Sequence, residues 1–253
     1  MSQARQSESH SVRSLAVTYR DGERIDRHSH SLAQLIYAAS GTMRVSTDEA
    51  AWLVPPTRAI WVPPRVPHEI HMRGQTAMRT LYVSPQAAAA LPHECRALEV
   101  SPLLRELVLH IVGGMLRTDV AEDARLCGVF LDLLAKSETT PLGLPLPKDP
   151  RARRLAEALF ADPASPASLA DLARNAAASV RTLQRLFAAE TGLSIEAWRT
   201  RARLQQGLVQ LTAGASVTAA ALDAGYASPS AFIAAFKAAF GVTPARYRAG
   251  GDR

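Results

Sequence analysis

The chain lacks what a membrane or secreted protein needs. No run of about 18 consecutive apolar residues occurs, so no segment is expected to span a bilayer. Met1 to Arg13 is polar and has no apolar core, which argues against a secretory signal. It reads as a flexible tail over residues 1–11. Only two cysteines are present, Cys95 and Cys127, with no CxxC spacing and in apolar surroundings that read as helical. They read as buried thiols in a reducing cytoplasm, with a disulfide or redox pair as the alternative. Net charge is absent from the first part: residues 1–147 hold 15 basic and 15 acidic residues, whereas residues 148–253 hold 14 Lys and Arg against 8 Asp and Glu. The whole excess of +6 is therefore C-terminal. A one-sided basic domain suits a polyanion, although many basic domains bind no nucleic acid.

What is present divides the 253 residues into distinct regions. From residue 12 to about 100, short apolar runs are broken by Pro and Gly; Gln34 to Tyr37, Thr42 to Ser46 and Arg79 to Val83 are examples. Closely spaced short strands predict a small β-barrel or sandwich. Over 101–137 the period becomes helical, with Leu103, Leu107 and Ile111 on one stripe and Leu126, Phe130 and Leu134 on another. Ser101-Pro102 is a cap followed by proline at the first helical position. These helices are a candidate dimerisation element, or they pack on the barrel. Pro141, Pro145 and Pro147 mark residues 138–149 as a linker that cannot be helical. Residues 150–250 read as helix and short turn throughout.

Within that last region one pattern occurs twice. Ser168 caps a short helix, an alanine turn follows, and Ser179 caps a second helix whose Val180, Leu183, Leu186 and Phe187 fall on one face. Arg181, Thr182, Gln184 and Arg185 are left pointing outward. This is a helix-turn-helix, and its outward residues suit base edges: Arg pairs with guanine and Gln with adenine, each in bidentate fashion. The pattern recurs near 216–240. There Gly225-Tyr226 makes the turn, Ser228-Pro229 starts the second helix, and Phe232, Phe236, Ala239 and Phe240 form its expected buried stripe. Between the two units, Ile195 to Thr212 predicts a connecting helix about 27 Å long. That is comparable to the roughly 34 Å of one DNA turn.

The run Gly225-Tyr226-Ala227-Ser228-Pro229-Ser230-Ala231-Phe232, followed by Phe236-Lys237, Phe240-Gly241-Val242-Thr243-Pro244 and Tyr247-Arg248, closely resembles the signature of AraC/XylS-type transcription regulators. The resemblance covers roughly 150–250. It implies that both units bind double-stranded operator DNA and that Arg181, Gln184 and Arg185 stand where base contacts are expected. Ser179, Thr182, Ser228, Ser230, Ile233 and Lys237 complete the expected DNA-facing set. Two departures stand out. Ala177 occupies the first turn where the family commonly has glycine. The second recognition helix offers Ser230, Ile233 and Ala234 with only Lys237 charged, which points to phosphates and thymine methyls.

In the N-terminal region His28 and His30 have the one-residue spacing that puts both imidazoles on one face of a strand. With Gln34 and the later His68 they can bind a divalent transition metal. The spacing of Gly22, His28, His30, Gln34 and Gly41, then Pro63 and His68, resembles the two cupin motifs, with Gln34 in place of the usual carboxylate and Arg65 in place of a glycine. A metal site, a metal-free effector pocket and purely structural histidines all remain open, with His71 as a bystander. Tyr37, Trp52, Trp61 and Tyr82 are candidate walls for a small-molecule effector, or plain barrel core.

The fold expected is thus α+β and multidomain: a cupin-like barrel, helices, then an all-α domain with two helix-turn-helix units. The function expected is that of an effector-responsive cytoplasmic regulator, not an enzyme. It is expected to act as a homodimer, with operator DNA and RNA polymerase as partners. The alternative is a cupin metalloenzyme, a dioxygenase or isomerase, fused to a DNA-binding domain.

Overall fold

The computed structural model describes residues 12–114, 120–139 and 143–248; the tail expected over residues 1–11 lies outside them. The strands are β1 (Val12–Tyr19), β2 (Arg24–His28), β3 (Ala33–Ser46), β4 (Ala50–Val54), β5 (Arg58–Val62), β6 (His68–Val83), β7 (Arg96–Glu99) and β8 (Leu144–Pro145). The helices are α1 (Pro102–Gly114), α2 (Val120–Lys136), α3 (Pro150–Ala161), α4 (Leu169–Asn175), α5 (Val180–Thr191), α6 (Ile195–Thr212), α7 (Val217–Asp223), α8 (Pro229–Phe240) and α9 (Pro244–Arg248). The chain forms two compact units. One comprises Met1–Val45 and Val54–Thr140, the other Ser46–Leu53 and Pro141–Arg253.

The first unit is sheet-rich, as expected. The long strand β6 pairs with β1, β2 and β3, and β5 lies between β3 and β7. Alternation along the strands gives the sheet two different faces. Leu35, Tyr37, Ala59, Trp61, Leu81 and Val83 share a buried core with Leu104, Val108 and Ile111 of α1 and with Cys127, Phe130 and Leu134 of α2. The two helices therefore cover one face of the sheet, which is why their stripes are apolar. The residues between, among them Gln34, Ile36, Ile60, Val62, His68, Ile70, Met78 and Thr80, are buried on the other face. The sequence pattern splits residues 34–46 into two runs at Gly41, but β3 passes straight through. Gly41 takes φ +76°, which bends the strand without ending it. Cys95 lies half-buried in the loop before β7 rather than buried in a helix, Cys127 is buried, and neither forms a disulfide.

The second unit is helical, and each of its central helices begins on a serine. The hydroxyls of Ser168, Ser179, Ser194, Ser216 and Ser228 accept from backbone N–H groups one turn along α4, α5, α6, α7 and α8. The segment expected as a spacer over 138–149 is not a free linker. Leu144 and Leu146 are buried, and β8 pairs with β4 at Ala50 and Ala51. Prolines do exclude helix there. The alternating leucines, however, read as strand, and they find apolar partners in Ala51, Leu53 and α3. The indole of Trp198 in α6 donates to Pro145 O at 2.7 Å, and Gln205, buried in α6, accepts from Leu53 N at 2.9 Å.

The two helix-turn-helix turns are built alike. Ala177 and Gly225 both sit in the left-handed region, at φ +55° and +79°. In each turn the next N–H reaches back to the preceding helix, Ala178 N to Ala173 O at 3.1 Å and Tyr226 N to Ala221 O at 3.0 Å. Alanine pays about 1–2 kcal/mol for that backbone, more than the conformational entropy glycine loses there. Ala177→Gly is expected to stabilise the second unit by about 0.5–1 kcal/mol, read as a higher melting temperature by circular dichroism. An unchanged or lower value would count against the strain.

Candidate nucleic-acid interface and histidine cluster

Helix α5 separates its two faces cleanly. Leu183, Leu186 and Phe187 are buried, with Phe187 edge-on to Trp198 at 6.1 Å. Arg181, Gln184 and Arg185 are exposed and make no side-chain hydrogen bond or ion pair with any described residue. Thr182 is half-buried and its hydroxyl meets that of Ser179 at 2.9 Å, so these two expected DNA-facing residues also close the helix start. On α8, Phe232, Phe236 and Phe240 form the buried stripe, whereas Ala239, expected to join them, stands at the stripe's edge and is exposed. Ser230, Ala234 and Lys237 are exposed and Ser228 and Ile233 half-buried. The face is therefore almost uncharged, as its sequence implies.

The connecting helix α6 has 18 residues, about 27 Å at 1.5 Å per residue. Its Gly207 lets α8 approach: a Cβ there would stand 2.5 Å from the Phe232 ring. That ring is fully buried against Tyr226 and Phe236 and has nowhere to swing. Gly207→Ala should gain about 1 kcal/mol of helix propensity and lose about 1–3 kcal/mol to overpacking. The net expectation is a lower melting temperature, restored by adding Phe232→Leu.

Charge counting overstated the basic surface. Arg199 and Arg203 of α6 donate to Pro163 O at 3.1 and 3.0 Å, and Arg154 donates to Ala176 O at 3.0 Å. These guanidiniums tie α6 to the loop after α3 and tie α3 to the first turn. Such roles leave no mark on sequence, because a buckle arginine and a phosphate-binding arginine look the same.

In the first unit four residues expected to act together do meet. His28 on β2 lies directly opposite His68 on β6. The rings of His28, His30 and His68 are 4.4–5.0 Å apart, and one ring nitrogen of each lies within 4.8 Å of the others. Gln34 Oε1 is 3.0 Å from His68 Nε2, and Gln34 Nε2 donates to Thr80 Oγ1 at 2.8 Å. His28 Nδ1 is 2.7 Å from Asp26 O and His68 Nδ1 is 3.0 Å from Val66 O. His30 Nε2 is buried without a partner. Its carbonyl accepts from Arg65 N at 2.8 Å, and Arg65 holds φ +66°, so the glycine-like turn persists without glycine. Burial pushes His68 down to about 4, helped by its neighbours His28 and His30 and opposed by the Val66 carbonyl. Burial also lowers His30, followed by the charge of His28. His30 and His68 are thus held neutral near pH 7. His71 has the opposite strand parity and pairs with Arg24, a bystander to the cluster.

The four aromatic candidates do not converge. Tyr82 stands edge-on to His30 at 5.1 Å. Tyr37 and Trp61 belong to the face covered by α1 and α2, with the Trp61 indole donating to Pro92 O. Trp52 lies in the second unit against Gly143. Strand parity separates Tyr37 and Trp61 from the histidines, since the odd-numbered residues of β3 before Gly41 and of β5 face the helices.

Comparison with known proteins bears on both units. A family model described as an AraC-like ligand binding domain matches residues 14–179, more than half of the chain, and one described as a helix-turn-helix domain matches residues 172–250. The chain belongs to the AraC family of transcription regulators. It is 36% identical to the HTH-type transcriptional regulator NimR of Escherichia coli (strain K12), over 87% of this chain and 81% of that protein. It is 35% identical to the HTH-type transcriptional regulator RipA of Corynebacterium glutamicum, over 42% of this chain and 32% of that protein. The crystal structure of ToxT from Vibrio cholerae O395 aligns with a TM-score of 0.41 at 12% identity, covering 95% of this chain and 98% of that one. The AraC helix-turn-helix match takes in α5 to α9, and the ligand-binding match takes in the histidine cluster. Among the described residues no helix is long and apolar enough to cross a membrane.

Proposed function

We propose that this DNA-binding regulator reads a defined operator chiefly through Arg181, Gln184 and Arg185, and that a small-molecule effector bound by the first unit alters its hold on that operator. The observation that carries the first part is the outward face of α5. It presents three long polar side chains that no other described residue engages, on a helix fixed by its cap and its buried stripe. Ser179 and Thr182 at the helix start and Lys237 on α8 supply phosphate contacts, while Ser228, Ser230, Ile233 and Ala234 lie against phosphate, sugar and thymine methyls. The family match over residues 14–179 supports the effector. Such an effector acts only by binding the DNA-competent and incompetent states with different affinity. Tyr82, beside the histidines, is the aromatic candidate that this reading keeps.

The reading also places the protein in the cytoplasm, as a homodimer working with RNA polymerase. Selection from random duplexes tests it directly. The purified chain should enrich one motif with two elements about one helical turn apart. Binding that stays sequence-indifferent and falls steeply with salt would identify a DNA-coating protein instead.

A further inference from the structure

We propose that the loop between α3 and α4 locks the two helix-turn-helix modules to each other, so that Arg203 and Gly225 set the spacing of the operator elements this protein accepts. This role deepens the DNA-binding reading and rests on it in one respect, that both modules contact one operator.

Both recognition helices are carried by α6. Trp198 of α6 meets Phe187 of α5, and Gly207 admits Phe232 of α8. Two modules joined only through one strut can still twist and bend about it. A second link, away from the strut, closes a ring and removes that freedom. Residues 162–168, which lead from the end of α3 to the cap of α4, supply this link. Pro163 is buried, and its carbonyl accepts from Arg199 Nε at 3.1 Å and from Arg203 Nε at 3.0 Å. Arg199 also donates to Ser165 O. The same loop reaches the second module. A Cβ on Gly225 would stand 2.7 Å from Ala164 Cα, 2.9 Å from its Cβ and 3.3 Å from Arg203 Nε.

That contact accounts for a difference between the two turns. Ala177 holds the left-handed position of the first turn with a Cβ, at φ +55°. Left-handed backbone strains alanine but does not by itself exclude it from this motif. Gly225, at φ +79°, has in addition a backbone atom pressed against the place a Cβ would take. Glycine is the residue that allows such an approach. Next in sequence, Tyr226 stands edge-on to Phe232 of α8 at 5.3 Å. The first module, its loop, the second turn and the second recognition helix are therefore in continuous contact by a path that does not run along α6. One base pair added between two binding elements moves the second by about 3.4 Å and turns it by about 35°. A closed ring of packed elements cannot follow that step, whereas two modules hinged on a single helix can.

Full-length protein and the selected operator, lengthened or shortened by one base pair between its elements, supply the test. The parent should lose affinity about tenfold or more at either altered spacing, the cost of a mismatched base pair or two. In Arg203→Met and in Gly225→Ala that penalty should shrink to about threefold or less. Ala177→Gly, which leaves the contacts of Arg203 and Gly225 in place, should keep the parental profile. A second readout needs no DNA. Nitroxides on Ala189→Cys in α5 and Ala238→Cys in α8, both exposed positions, with Cys95 and Cys127 replaced by alanine, should report one narrow distance by electron paramagnetic resonance. Arg203→Met and Gly225→Ala should broaden it. An unbroadened distance overturns the lock. A broadened distance with equal losses at every spacing shows that the loop only holds the fold, and overturns its role in operator choice. A parent indifferent to spacing overturns that role together with the two-module reading, and the distance measurement still decides the lock itself. Should Gly225→Ala fail to fold, Arg203→Met decides alone.

Discussion

Gly41→Ala is expected to unfold the sheet unit or lower its melting temperature by about 10 °C or more. A Cβ at this position would lie 2.3 Å from Gln75 O and 2.8 Å from Thr76 Cα. Both are backbone atoms of β6, so no side chain can move aside. Thr76 is itself fully buried, with its hydroxyl donating to Thr42 O at 3.0 Å. Two costs add: about 1–2 kcal/mol for alanine at φ +76°, and about 1–3 kcal/mol for forcing two paired strands apart. Their sum is a large share of the roughly 5–15 kcal/mol that holds a domain folded. Gly22→Ala separates the two, since Gly22 has φ +78° but nothing within 4 Å of its added Cβ. It should lose only the strain. Equal melting temperatures for the two variants would mean that β3 and β6 do not approach as closely as described.

The double substitution Arg181→Ala and Arg185→Ala should weaken binding to the selected operator by about 2–6 kcal/mol, at least some thirtyfold, while non-specific binding falls far less. The two side chains lie one helical turn apart on the exposed face of α5, so they meet neighbouring base pairs and their effects need not add. Both serve no internal contact among the described residues. The melting temperature of the variant should therefore stay within about 1 °C of the parent, as for other surface changes. Competition with unrelated duplex DNA at several salt concentrations distinguishes the roles. Arginines that only neutralise phosphates would weaken every duplex alike and flatten the salt dependence by about one unit each. Lys237→Ala is expected to behave in that second manner, because it is the one charge on the outward face of α8.

Much of the DNA-binding half was legible without coordinates, because its determinants are local. A capping serine, a stripe at helical spacing and a three-residue turn lie within one short stretch of chain, so α4, α5, α7 and α8 and the outward position of Arg181, Gln184 and Arg185 follow from nearest-neighbour chemistry. His28 and His30 were readable as a same-face pair for a similar reason. Ala177 and Arg65 were marked by the family resemblances instead: each stands where the resembled motif has a glycine, and each holds a positive φ. Ala239 shows the margin of error of a pattern read at the edge of a stripe.

What tertiary structure alone decided involves partners distant in sequence. Strand parity was known, but which face α1 and α2 would cover was not, and that choice removed Tyr37 and Trp61 from the histidine side. Residues 46–53 fold with chain nearly a hundred residues later, which carried Trp52 into the second unit and turned an expected linker into β8. Arg199 and Arg203 became buckles only once the loop at Pro163 lay within reach. Local propensity is written in neighbouring residues, whereas the selection of one apolar or hydrogen-bonding partner among many comes from packing the whole chain at once.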